Sequence, residues 1–227
     1  MHHDTPGPTA DLLSFLRRWL AAPRTVGAIA PSSRALARAM CAAAGPLDGP
    51  VLELGAGTGV FTRALVEAGV DPAALVLVER LPAFAALLRA RWPQARVIEG
   101  DAGALTADAL PAPPAVVLSG LPLRAMPAAQ VERIVAAVLA CSAPALRLVQ
   151  FTYGLRCPVA APLRRRLGLR ARRVAFVAGN LPPAWVWVLQ RETERQASDE
   201  AAVPARGLSV APVPAEAMPA ARRPSSP

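Results

Sequence analysis

The sequence predicts an α/β fold: a mostly parallel, seven-stranded sheet with a C-terminal antiparallel hairpin and helices on both faces. Three observations carry that expectation. From Pro50 onward, short apolar runs alternate with longer segments of helical period. The first run opens into a loop with glycine at every second position, Gly55, Gly57 and Gly59. Near the end, two apolar runs are parted only by Gly179-Asn180-Leu181-Pro182-Pro183. That is too short for a parallel crossover, so the two strands must pair antiparallel.

The elements follow in order. Residues 1–8 are expected to be disordered. Over residues 9–21, Leu12, Leu13, Phe15, Leu16, Trp19 and Leu20 gather on one broad face, and Asp11, Ser14, Arg17 and Arg18 fill the other. Pro23 ends this amphipathic helix, and a lid or docking segment is expected to run on to residue 30. Ser32 or Ser33 is placed to cap the first helix of the main domain, expected over 31–191. Strands are predicted over 51–54, 74–79, 96–99, 115–119 and 146–151, with helices over 60–68, 82–91 and 127–140. The hairpin strands are expected over 173–177 and 185–189. Beyond Arg191 the sequence is charged and rich in Pro and Ala, so 192–227 is expected to be a disordered tail.

Composition narrows the class. Hydrophobic residues make up 53% of the chain, enough for the core of one domain of this size. No apolar run reaches the roughly 18–20 residues of a membrane-spanning helix. The start lacks the basic and apolar regions of a signal peptide, so a cytoplasmic chain is expected. Cys41, Cys141 and Cys157 are odd in number and have no metal-ligand spacing, so reduced thiols and no metal are expected. All 25 basic residues are Arg, and the net charge is +9. Arg pairs bidentately with phosphate, which favours a phosphate-bearing partner, an anionic membrane or a nucleic acid. Six of the arginines crowd into residues 164–173: Arg164, Arg165, Arg166, Arg170, Arg172 and Arg173.

The strongest local signal is Val51-Leu52-Glu53-Leu54-Gly55-Ala56-Gly57-Thr58-Gly59. The glycines let the backbone turn sharply and approach a ligand without Cβ clashes. Their spacing departs from the G-x-G-x-x-G of dinucleotide sites. Glu53 beside the loop would repel a pyrophosphate and attract a cation. S-Adenosylmethionine carries an ammonium and a sulfonium, so the charge favours it. Glu79 ends the second strand, where an acid accepts from both ribose hydroxyls, with Arg80 next to it. Asp101 and Ala102 follow the third strand, where Asp101 can accept from the adenine amino group. Three acids at the ends of three successive strands form one constellation, on the edge where open α/β sheets bind ligands.

On these residues the sequence resembles the Rossmann-like class I methyltransferases over about residues 31–191. The resemblance implies that Gly55, Ala56, Gly57 and Gly59 line the methionine side of S-adenosylmethionine. It places Glu79 and Arg80 at the ribose, and Asp101 with Ala102 at the adenine. Four further stretches are residues 23–33, Ser119-Gly120-Leu121-Pro122-Leu123, Gln150-Phe151-Thr152-Tyr153-Gly154, and residues 180–187. Together they look like the bacterial phospholipid N-methyltransferases, which convert phosphatidylethanolamine to phosphatidylcholine and are similar to rRNA adenine dimethylases. Arg124 stands where that likeness leads one to expect an apolar residue.

The likeness implies a phospholipid acceptor, an anionic membrane partner, a peripheral location at the cytoplasmic side of the inner membrane, and no nucleic acid. Ser119, Gly120 and Leu121 would then present carbonyls to the acceptor amine, with Ser119 also beside the cofactor. Tyr153 would serve as hydrogen-bond partner or cation–π face. Leu13, Leu16, Arg17, Arg18, Trp19 and Leu20 would dock the N-terminal helix on the membrane. The only histidines are His2 and His3, so water is expected to take the acceptor's proton. The rival expectations are an RNA methyltransferase of the adenine-dimethylase type and a non-catalytic module that binds S-adenosylmethionine or lipid.

Overall fold

The computed structural model describes residues 33–192. The expected disorder of 1–8, the tail beyond Glu192, and the N-terminal helix with Leu13, Leu16, Arg17, Arg18, Trp19 and Leu20 lie outside the described residues.

Seven strands form one sheet in the order β3-β2-β1-β4-β5-β7-β6. β1 (Val51–Leu54), β2 (Leu75–Glu79), β3 (Arg96–Glu99), β4 (Val116–Ser119) and β5 (Arg147–Thr152) run parallel. β7 (Ala184–Arg191) pairs antiparallel with β5, and the edge strand β6 (Leu169–Val177) pairs antiparallel with β7. The helices are α1 (Arg34–Ala44), α2 (Val60–Glu67), α3 (Pro82–Arg91), α4 (Ala128–Cys141) and α5 (Ala161–Arg166). This is the mostly parallel sheet closed by an antiparallel hairpin that the alternation and the short turn predict.

The central strands are covered on both faces, which is why they read as unbroken apolar runs. Successive residues alternate between two cores. Leu75 and Leu77 of β2 pack with Leu36, Met40, Leu65 and Trp92 on one face. Val76 and Val78 pack with Val131, Ile134, Val135 and Val138 of α4 on the other. Ser33 proves to be the helix cap: its side chain accepts from the Leu36 N–H at 3.1 Å. Its own N–H donates to Asn180 Oδ1 at 3.0 Å, tying the start of α1 to the β6–β7 turn.

One strand departs from expectation. β6 begins at Leu169 rather than at residue 173. Its exposed Arg170 and Arg172 flank the half-buried Ala171, so an edge strand with charges on its open face passes for a polar run. A bulge between Arg173 and Ala175 also breaks the alternation: Leu169 and Ala171 pack in one core, Ala175 and Val177 in the other.

Candidate active site

β1 lies between β2 and β4, so successive strands diverge from it in opposite directions. Open sheets of this kind bind ligands in the crevice outside the strand ends at that switch point. The glycine loop fills this position. Gly55, Gly57 and Gly59 have φ of 67°, 54° and 78°, the left-handed region that glycine adopts without strain. Their neighbours differ. A Cβ on Gly55 would come within 2.6 Å of the Leu121 side chain, and one on Gly59 within 2.2 Å of the Trp92 ring. A Cβ on Gly57 would meet only the Gly55 carbonyl, at 4.0 Å. Gly55 and Gly59 therefore serve the packing of the loop on its own protein. Of the three, only Gly57 has the open space beside it that the sequence led us to expect at all of them.

The post-β4 loop presses against this loop backbone to backbone. The Gly120 N–H donates to the Leu54 carbonyl at 2.8 Å. A Cβ on Gly120 would stand 2.8 Å from the Gly55 carbonyl oxygen.

The three acids occupy different environments. Glu79 is buried, and its carboxylate oxygens accept from the N–H groups of Gly57 and Leu81, each at 2.8 Å. It holds the glycine loop in shape and keeps lone pairs for a further donor. Glu53 has no exposed surface. The Thr62 hydroxyl donates to its Oε2 at 2.7 Å, and its Oε1 has no hydrogen-bond partner. Burial pushes its pKa up to about 8, outweighing the opposing pull of Thr62, so the group is a neutral acid at pH 7. The ligand-facing carboxylate expected of Glu53 is thus corrected: it lies inside the sheet, turned towards α2. Asp101 accepts from the Gly103 N–H at 2.9 Å and pairs with Arg133 at 3.1 Å. Ala56 and Ala102 are buried, and Arg80 is exposed.

The acceptor loop also differs in one respect. Ser119 is buried, and its Oγ accepts from the Leu121 N–H at 3.4 Å. The Leu121 carbonyl accepts from Gln150 Nε2 at 3.0 Å and from the Leu123 N–H at 2.9 Å. Both of its lone pairs are engaged, which withdraws it from the carbonyls expected to orient an amine. Gln150, fully buried on β5, also donates to the Phe151 carbonyl at 2.9 Å. Its role was missed from sequence, although a lone amide inside a buried apolar strand is a readable signal.

Between this loop and the end of β5 lies a pocket of about 420 Å³, lined chiefly by Pro122, Leu123, Arg124, Phe151, Tyr153 and Gly154. Tyr153 is half-buried and edge-on to Phe151, with ring centroids 5.4 Å apart. Burial raises its pKa above the usual phenol range, with a hydrogen bond from Asn180 pulling the other way. The hydroxyl therefore stays protonated at neutral pH.

The crowded arginines of 164–173 are partly absorbed by the fold. Arg166 pairs with Glu132, Arg164 donates to the Val159 carbonyl at 2.6 Å, and Arg173 stacks 4.2 Å from the Trp185 ring centre. Arg165, Arg170 and Arg172 remain exposed. Cys41, Cys141 and Cys157 are free thiols, and burial pushes Cys41 up to about 12. No described helix is long and apolar enough to cross a membrane. Among the described residues no cluster could hold a metal ion.

No protein-family model and no curated protein matches the chain. Solved structures do match. The chain is similar to a TehB-like SAM-dependent methyltransferase from Corynebacterium glutamicum, at 17% identity and a TM-score of 0.56, over 81% of this chain and 100% of that one. It is similar to the glycopeptide N-methyltransferase MtfA complexed with S-adenosyl-L-methionine, at 17% identity and a TM-score of 0.55, over 70% and 94% of the two chains. A third likeness is to TrmN from Thermus thermophilus, at 20% identity and a TM-score of 0.52, over 69% of this chain and 48% of that one. The chain has the Rossmann-like fold of the class I SAM-dependent methyltransferases.

Proposed function

We propose that the chain is an S-adenosylmethionine-dependent N-methyltransferase acting on the amine of phosphatidylethanolamine at a membrane surface. The observation that carries this reading is the junction of two spaces. The open face of Gly57 belongs to a loop that touches Gly120, and the loop of Gly120 runs directly into the wall of an apolar pocket.

The residues suit the cofactor. Gly57 leaves room for the methionine end, and Glu79 keeps lone pairs for the ribose hydroxyls, with Arg80 at the rim. Asp101 and Ala102 lie at the end of β3 for the adenine, although Asp101 must share its carboxylate with Arg133. When bound, S-adenosylmethionine supplies an electrophilic methyl group on a sulfonium. MtfA, with the same fold, is an N-methyltransferase complexed with that molecule.

The chain's own contribution to transfer is positioning. The Ser119 and Gly120 carbonyls are the acceptors that remain for an amine N–H, once Leu121 is withdrawn. Tyr153 offers a π face to an ammonium or methylated ammonium, and a protonated hydroxyl cannot act as base. The sequence offers no histidine beyond His2 and His3, so the acceptor's proton leaves to water.

Lipid is favoured over a soluble amine by three features. The pocket walls are apolar. Leu155 is 67% exposed and Leu181 87% exposed, each in a loop at the same end of the paired strands β5 and β7. The net charge of +9 favours an anionic surface, which supports a peripheral location on the cytoplasmic side of the inner membrane. Incubating the full chain with radiolabelled S-adenosylmethionine tests the reading, with phosphatidylethanolamine vesicles in one tube and rRNA in another. Label in the lipid extract is expected. Label in the RNA would establish the rival acceptor, and label in neither would leave a binding module.

A further inference from the structure

Arg124 breaks the apolar pattern of the acceptor loop, and it sits in the wall of the pocket. It is carried on a short 3-10 turn, Leu123–Ala125, whose Leu123 is buried and anchors it. Its guanidinium lies over Gly154: a Cβ there would stand 3.7 Å from Arg124 Nε and 3.9 Å from Cζ. Exposed and without a partner among the described residues, the guanidinium lies on the pocket side of the loop, opposite the end of β5.

Many other arginines of the domain are committed. Arg89, Arg133 and Arg166 pair with carboxylates, and Arg91, Arg147, Arg164 and Arg191 donate to backbone carbonyls. Arg124 makes no hydrogen bond or ion pair among the described residues. The other residues lining the pocket, Pro122, Leu123, Ala125, Phe151, Thr152, Tyr153 and Gly154, carry no formal charge. A pocket with apolar walls and a single guanidinium selects an amphiphile with an anionic group. Guanidinium presents a planar fork of donors that matches phosphate in two parallel hydrogen bonds.

We propose that Arg124 binds the phosphate of the acceptor, a phosphodiester headgroup, and so fixes where its amine lies. This deepens the function proposed above and rests on it for the identity of the pocket. In an ethanolamine phospholipid the amine stands two carbons beyond the ester oxygen. Holding the phosphate at Arg124 directs that short arm along the same loop towards Ser119 and Gly120, while the apolar walls take the ester side.

Binding is read on the full chain loaded with S-adenosylhomocysteine, and turnover separately with radiolabelled S-adenosylmethionine. The probes are dihexanoyl phosphatidylethanolamine below its micelle concentration, octylamine as a phosphate-free amine, and inorganic phosphate, each titrated by calorimetry. Arg124→Gln should weaken the lipid probe at least tenfold, leaving octylamine and S-adenosylhomocysteine within about twofold. Arg124→Lys should fall between, because it keeps a point charge and loses the fork. A melting curve on each variant establishes that it is folded.

Equal binding of the lipid probe by wild type and Arg124→Gln overturns the assignment, as does equal weakening of lipid and octylamine. Absence of lipid binding in the wild type also overturns it. Inorganic phosphate binding as tightly as the lipid probe would overturn the headgroup assignment in favour of a free anion. If the probe binds through Arg124 but radiolabelled S-adenosylmethionine leaves it unmethylated, the methylation reading fails and the phosphate site stands.

Discussion

β1, at the switch point, and β2 and β3, to one side of it, carry acids at or near their ends: Glu53 within β1, Glu79 at the end of β2, and Asp101 just past β3. Glu79 and Asp101 each accept from a backbone N–H two residues on, and Glu79 also from Gly57 in the glycine loop. β4 and β5, on the other side, end in the neutral Ser119 and Thr152, and the pocket beyond them carries one charge, on Arg124. The first half is held in shape, before any ligand arrives, by carboxylates that accept from main-chain N–H groups. The second is assembled from side chains that meet across loops: Gln150 on Leu121, Tyr153 on Asn180, Arg124 over Gly154. A cofactor that never varies suits the first kind of construction, and an acceptor chosen by chemistry suits the second.

The contact between the halves is the place to break that contrast most severely. Gly120→Val would set a Cβ 2.8 Å from the Gly55 carbonyl and 3.4 Å from the Leu54 carbonyl, and neither backbone can give way cheaply. Loss of S-adenosylhomocysteine binding is expected, with destabilisation of about 3 kcal/mol or more. Calorimetry and a denaturant titration measure both, and retained binding would mean that the halves are not coupled at Gly120.

Within the first half, two glycines of one loop should part company. Gly59→Ala drives a methyl group into the Trp92 ring at a positive φ and should cost about 2–4 kcal/mol of stability. Gly57→Ala should cost only about 1–2 kcal/mol, the strain of the left-handed backbone. Its affinity for S-adenosylhomocysteine should nonetheless fall at least tenfold. Equal melting points for the two variants would erase the distinction between packing and ligand-facing glycines.

Glu79→Gln keeps the side-chain shape but turns an amide N–H₂ towards one of two N–H donors. A loss of about 1–3 kcal/mol is expected, since one donor is left unsatisfied. Cofactor affinity should fall about tenfold, while the pocket's affinity for octylamine should not change.

The smallest effect is a pH slope. Glu53 has a folded pKa raised from an ordinary 4.5 to about 8 by burial. Between these values the unfolded chain has lost the proton that the folded chain retains. Stability should therefore fall as pH rises from about 4.5 to about 8, then level off. Glu53→Gln should flatten this part of the stability curve, and an unchanged slope would show that other groups cause it.

The parts of the fold that rest on local pattern were legible in the sequence. β1, α3 and β3 have the predicted bounds, because apolar period and punctuation by Gly and Pro lie within each segment. The start of β6 was not, because an edge strand that alternates Arg with small residues carries no apolar signal. The site divides the same way. The acids and glycines were visible as a motif, but which glycine packs on protein depends on Trp92, and nothing near the loop announces it. The depth of Glu53 was available in principle: a residue inside a four-residue strand flanked by β2 and β4 has no open face to offer. Arg124 stood out as a departure, but only the fold shows what it faces.

Asn180 joins three regions that are remote in sequence. It accepts from the Ser33 N–H across 147 residues, donates to the Pro182 carbonyl at 2.8 Å, and hydrogen-bonds Tyr153. Such a link has high contact order and pays its loop-closure entropy late in folding. During synthesis, Ser33 emerges long before the turn that holds Asn180. The tyrosine at the rim of the pocket gains its polar anchor only after that turn is made, so a growing chain completes the glycine loop well before it completes the place where an acceptor would sit.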